Sequence, residues 1–289
     1  MVQPRMMVEA PPVTPLPFGL LSAAVVLDNL EGHAQMGVEY EPVACGEVFD
    51  TRAACDEAAF SRGDADPIGI PLVEGDPFNL FSLFTCNIVG VGEARMRDLA
   101  VESLRTGEQR ALEQKVAGFL PRAAGAVDLS GDDPVHVIDG LAALEAYAAA
   151  NYGGVPTIHV PRGVGTVLGS LGGHMRVANH LETRQGALVA SGGGYGSLAG
   201  PPTDLEDVEG TIQDASDGEA WLYVTGTVVV RRAPQPAVTP LVMNRVVEDD
   251  TTAASNDGLV LASRAYVATW ECVTAAIKVA TGFSGPVVL

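Results

Sequence analysis

Residues 92–119 constrain the fold of this chain more than any other stretch. Met96, Leu99 with Ala100, Leu104, Gly107 with Ala111, Leu112 and Val116 recur at steps of three and four, the period of one helix face. Glu93 and Arg97 stand four apart with the acid first, the order that favours an ion pair along a helix. Gly107 interrupts this helix at about 1 kcal/mol against alanine. Residues before the helix read as arm and loop, and residues after it as a mixed α/β body.

Upstream, Pro4, Pro11, Pro12, Pro15 and Pro17 exclude helix and favour extended backbone. A short helix is expected over 18–30. Residues 1–40 fit either an arm laid over another surface or an unanchored terminus. From Tyr40 to about Gly92 there is little periodicity. Asp64-Ala65-Asp66-Pro67 and Glu74-Gly75-Asp76-Pro77 punctuate short apolar pieces such as Ile68-Gly69-Ile70 and Phe78-Asn79-Leu80-Phe81, which predicts turns and short strands. Residues 55–60 fit one helical turn. So long an irregular stretch within a domain marks a functional loop.

Downstream, Asp132-Asp133-Pro134 reads as a helix cap with proline at the first helical position. The helix it predicts runs to Tyr152, with Ile138, Leu141, Leu144, Ala148 and Tyr152 on one face, and stops at Gly153-Gly154. Strand is expected at 155–160, a short helix at 162–168, and strand at 187–190, 221–224 and 228–230. A polar segment at 233–257 leads to 259–281, whose Val, Ala, Thr, Tyr, Trp and Ile content favours one long strand or a hairpin.

The charge balance narrows the partners. With 17 basic and 36 acidic residues the net charge is −19, and Arg231-Arg232 is the only adjacent basic pair. Gripping nucleic acid needs a basic surface, so that class is disfavoured. Cys45, Cys55, Cys86 and Cys272 form no C-x-x-C pair and are too sparse for a disulfide scaffold, so free thiols in a reducing cytoplasm are expected. The apolar run 18–27 is far short of the ~20 residues that span a bilayer, and its flanks do not suit a signal peptide. Cytoplasmic synthesis without membrane attachment is expected.

A search for chemistry nominates no catalytic, cofactor-binding or metal-binding residue. Gly192-Gly193-Gly194-Tyr195-Gly196 could cradle a phosphate, but Pro201-Pro202 and an acidic run stand where a helix should open, so a surface turn is expected. Gly163-Val164-Gly165-Thr166-Val167-Leu168-Gly169 misses the third glycine of a dinucleotide fingerprint by one position. Of the histidines (33, 136, 159, 174 and 180), His174 and His180 are six apart, unlike two ligands on one helix face. His159 lies in an apolar strand and reads as a core histidine. No Gly-x-Ser-x-Gly elbow occurs. The 204–217 acidic run lacks calcium-loop spacing and reads as a solvated loop.

The order of parts carries a resemblance. Extended arm, long loop, long helix, α/β body and terminal strand resemble the major capsid protein of tailed bacteriophages, the Hong Kong-type shell fold shared with encapsulins. Three local stretches are similar to that family. They are Val155-Pro156-Thr157-Ile158-His159-Val160-Pro161-Arg162-Gly163, Gln185-Gly186-Ala187-Leu188-Val189-Ala190 with its glycines, and residues 259–279, where Arg264 lies between apolar runs.

The resemblance implies an α+β chain with an N-terminal arm at 1–40 and an extended loop (E-loop) at 41–88. It implies a peripheral (P) domain at 89–129 holding the spine helix 93–119, an axial (A) domain at 130–232, and a return to the P-domain at 233–289. It implies a viral protein without catalytic residues or cofactors, located in the virion and assembled in the bacterial host cytoplasm. Its partners would be copies of itself in hexamers and pentamers, a separate scaffolding protein, a portal and a decoration protein, with only weak contact to packaged DNA. Some members cross-link an E-loop lysine to an asparagine, but the only lysines here are Lys115 and Lys278, so no such bond is expected. The rival readings are a tail or head–tail connector protein, and an α/β nucleotide-using enzyme built on the 163–169 or 192–196 glycines.

Overall fold

The computed structural model describes residues 13–45, 72–87, 92–131, 133–202, 212–240, 242–244 and 257–282. Its first half contains α1 (Leu20–Ala23), β1 (Val25–Leu27), β2 (Val38–Tyr40), β3 (Val73–Gly75), β4 (Phe78–Asn87), α2 (Glu93–Phe119), β5 (Val127–Asp128), β6 (Val135–His136) and α3 (Val137–Asn151). Its second half contains β7 (Thr157–Pro161), α4 (Arg162–Ser170), β8 (His174–Val177), β9 (His180–Thr183), β10 (Leu188–Gly192), β11 (Glu219–Thr225), β12 (Val228–Arg232), β13 (Ala237–Val238), β14 (Val242–Asn244), β15 (Asp257–Trp270) and β16 (Thr274–Ala280).

The long helix is continuous over the expected residues, and its burial explains why it organises the chain. Met96, Ala100, Leu104, Glu108, Leu112, Val116 and Leu120 are all buried at a spacing of four. At ~100° per residue each step of four overshoots a turn by about 40°, so the stripe winds about 240° round the axis over six steps. One helix therefore packs against two partners. Toward β4 and β15 it places Ser103 on Ser82 and Phe119 edge-on to Phe78. Further round it meets α1 and the turn after β10.

Two sheets frame this helix. In the six-stranded sheet, β15 pairs with β4 along one edge and with β12, β13 and β14 along the other, and β1 adds parallel to β12. The eight-stranded sheet runs β5–β16–β11–β7–β10–β9–β8, with β6 also on β16. Strand alternation buries both of its faces. Ala220, Leu222 and Val224 join Ile158, Val189 and Ile277 under α3 and α4, while Trp221, Tyr223 and Ala190 join the core beneath α2.

Several expectations are corrected. The helix expected over 18–30 is only α1, because Val25–Leu27 gain a ladder of hydrogen bonds beside β12. The helix expected to start at Pro134 starts at Val137. Val135–His136 instead pair with Val279–Ala280, and the His136 ring Nδ1 accepts from the Ile138 amide at 3.4 Å as the cap. The piece at 78–81 is the start of a ten-residue strand, not a short one. The closing segment is neither one strand nor a hairpin. β15 and β16 belong to different sheets, as do β11 and β12, and both crossings occur together, with Gly226 N–H donating to Val273 O at 3.2 Å.

Cys45 and Cys272 are not free thiols: they form a disulfide with Cα atoms 5.6 Å apart. A separation of 227 residues hides such a pair from any reading of spacing. The helical turn expected at 55–60, the turns at 64–67, the acids at 248–250 and much of the 204–217 run lie outside the described residues, as does Cys55.

Candidate functional site

Two buried carboxylates, Glu108 and Glu113, lie on α2, and both tie other segments to it. Glu108 and Glu113 are five residues apart, which points them ~140° apart around the helix, one toward each sheet. Glu108 Oε1 accepts from Arg232 Nη1 at 2.7 Å, Tyr266 OH at 2.7 Å and Arg264 Nη1 at 3.3 Å. Asp28 Oδ1, just past β1, accepts from Arg232 Nε at 2.6 Å and Arg264 Nη2 at 3.2 Å. Arg264 also donates to the carbonyls of Ala233 and Pro234.

Two arginines thus meet two carboxylates where the N-terminal segment, α2 and strands β12 and β15 converge. Period-two alternation along β15 sends Arg264 and Tyr266 to the helix side. Hydrogen bonding from Arg232 holds the Asp28 carboxyl below the usual carboxylate range. Burial acts to lower the Arg232 pKa, but its bonds to Asp28 and Glu108 outweigh this and raise it. Burial and the Glu108 contact push the Tyr266 phenol up, so it remains a donor.

Glu113 is fully buried on the other side. Its Oε1 accepts from the Leu20 amide at 3.0 Å and its Oε2 from the Gly194 amide at 2.8 Å. Burial raises its pKa, and the two amides work against that rise. The expectation of a surface turn at 192–196 is therefore wrong: the turn is packed against α2, and a Cβ on Gly192 would run into the Glu113 carboxyl. Its glycines do bring amides to an anion, but that anion is the chain's own carboxylate. The phosphate-loop reading fails for the same reason.

The residues before α1 are docked along this seam. Leu16 O accepts from Gln109 Nε2 at 2.8 Å, Pro17 O from Arg162 Nη1 at 2.9 Å and Phe18 O from the Ser191 amide at 2.8 Å. The Arg176 guanidinium sits 5.2 Å from the centre of the Phe18 ring. Residues 16–30 thus lie against the chain's own body.

His159 is a core histidine as expected: it is fully buried, its ring nitrogens meet Tyr195 OH and Thr225 Oγ1 at 2.9 Å each, and burial pushes its pKa down to about 3. His174 and His180 lie on facing strands with different partners, Gly165 O and Glu182. The 163–169 glycines lie inside α4, where Gly165 packs against Ser191. No group of three metal-ligating side chains converges among the described residues, and no described helix is long and apolar enough to cross a membrane. On the face of the six-stranded sheet opposite α2, Phe81 is 67% exposed and Leu83 51%, beside half-buried Leu261.

No protein-family model and no curated protein matches the sequence. Solved structures do. The capsid of an empty GTA particle superposes with a TM-score of 0.52 at 14% identity, covering 96% of this chain and 95% of that one. A Microbacterium phage Oxtober96 structure gives 0.51 at 12% identity, with 96% and 95% covered. The capsid of a native GTA particle gives 0.50 at 12% identity over the same shares. The fold is the Hong Kong-type shell fold. The expectation drawn from the order of parts holds at the level of fold, for an α+β chain matched over nearly its whole length.

The sequence reading missed both glutamate clusters. Glu108 lay in plain view on the helix stripe, where a charge at an apolar position was the signal. Glu113 carried no signal, because its partners are backbone amides 93 and 81 residues away.

Proposed function

We propose that this chain is the structural subunit of a viral icosahedral capsid, self-assembling into hexamers and pentamers that enclose a phage genome. The observation that carries the reading is the near end-to-end likeness to the capsid subunit of the GTA particle. The neighbouring exposed side chains of Phe81 and Leu83 support it, since clustered exposed apolar side chains suit contact with another chain. So does the use of the deepest buried carboxylates to fasten segments together, a structural task and not a catalytic one.

On this reading residues 1–40 are the N-arm, 41–88 the E-loop, 89–129 the P-domain with its spine, 130–232 the A-domain and 233–289 the return. The subunit works without enzymatic activity, in the virion, after assembly in the host cytoplasm. A scaffolding protein, a portal and a decoration protein are its further partners, and the net charge of −19 keeps contact with packaged DNA weak.

Negative-stain microscopy of the purified chain tests the reading. Closed shells or lattices of six-membered rings support it. Rings of one small fixed number point to a connector, and subunits that stay monomeric at high concentration contradict it. Closed shells from the chain expressed alone remove the need for a scaffold.

A further inference from the structure

The disulfide joins two places that matter mechanically. Cys45 ends a short turn, Val43–Cys45, that comes after the β2 strand and rests on the end of α3 through Gly153 N–H to Ala44 O at 3.4 Å. Cys272 occupies the corner where the chain leaves β15 for β16 and so changes sheet, with a left-handed φ of 47°. The same corner is held by Tyr152, which donates to Glu271 Oε2 at 2.5 Å and accepts from the Thr227 amide at 2.9 Å. The bridge is reachable from solvent. Cys272 is exposed, Cys45 is half-buried, and an open cleft of about 350 Å³ lined by Leu72, Val73, Ala124 and Trp270 has Cys272 in its wall.

We propose that Cys45 and Cys272 are a redox-operated staple. The pair stays as two thiols in a reducing compartment and closes on meeting a small-molecule disulfide, pinning the Val43–Cys45 turn to the corner between the sheets. Exposure sets the order of events. The Cys272 thiolate attacks a sulfur of oxidised glutathione, forming a mixed disulfide and expelling one glutathione thiolate. The Cys45 thiolate then attacks Cys272 Sγ, forming the Sγ–Sγ bond and expelling the second glutathione. Two electrons pass from the cysteine pair to the glutathione disulfide, and the two protons end on the glutathione thiols. On the shell reading the turn is unstapled during assembly and stapled after release from the host; the chemistry itself does not rest on that reading.

The test uses the full chain equilibrated in reduced or oxidised glutathione, then unfolded in denaturant and alkylated. Four cysteines label in the reduced state, and two in the oxidised state, with peptide mapping joining Cys45 to Cys272. Hydrogen exchange of the β2 amides slows at least several-fold on oxidation of the wild type and does not change in Cys272→Ser. Four labelled thiols in oxidised glutathione, a link between other cysteines, or β2 exchange indifferent to oxidation overturns the proposal. Self-association is scored separately on the same samples, so a chain that stays monomeric at high concentration yet closes the bridge refutes the shell reading and leaves the staple standing.

Discussion

Glu108→Ala should be the most damaging single truncation on α2. The Glu108 side chain is 8% exposed and that of Arg264 9%, so water screens their contact little. Removing the carboxylate leaves Arg264 and Arg232 with one shared acid, Asp28, and leaves the Tyr266 hydroxyl without its acceptor. Breaking a buried charge cluster from one side costs about 3–5 kcal/mol. Alanine has the higher helix propensity, so the helix itself does not add to the loss. Asp28→Asn touches the same arginines from a side chain that is 52% exposed, and should cost under about 1 kcal/mol.

For a chain of this size ~4 kcal/mol corresponds to about 7 °C in melting temperature. Urea and thermal unfolding of unassembled subunits, followed by circular dichroism, measure both variants. A double variant with Arg264→Met should lose about 1–3 kcal/mol less than the sum of the singles. A Glu108→Ala chain no less stable than Asp28→Asn would overturn this ranking and the role given to the buried cluster.

Three further outcomes are expected. Glu113 has a folded pKa above its unfolded value near 4.5. Its contribution is therefore full below about pH 4.5 and falls as pH rises through the raised value. The stability of wild type minus that of Glu113→Gln should drop over that interval and then level off, and a difference that rises with pH would contradict the assignment. Gly107 is exposed within a continuous helix, with no atom within 4 Å of an added Cβ. Gly107→Ala should thus gain about 1 kcal/mol in the subunit. The stiffer spine is expected to lower the yield of closed shells, and shells of unchanged size and yield would reduce the glycine to a packing choice. Shells boiled in denaturant with a thiol should run as single subunits, since no lysine lies between 41 and 88; a ladder on the gel would count against this.

How much of this was legible in the sequence depended on whether the cause was local. The helix Glu93–Phe119, the face of α3 and the strands around His159 could be read because period and composition act within a few residues. The start of α3 could not, because Val135 and His136, just after the apparent cap, are claimed by β16, more than 140 residues later. The glycine turn at 192–196 carried the right chemistry, amides facing an anion, but its anion arrives from a helix far back in the chain. The division of β15 and β16 between two sheets was invisible for a different reason. Both strands are rich in small and β-branched residues, and only the corner around Cys272 marks where they part.

A cryo-electron microscopy reconstruction of particles assembled from this chain would decide the capsid assignment. The expected result is a closed shell in which the same subunit occupies both five-fold and six-fold rings, with the α2 helix continuous in each. Particles with a single ring symmetry, or subunits in which α2 does not pack between the two sheets, would contradict the assignment.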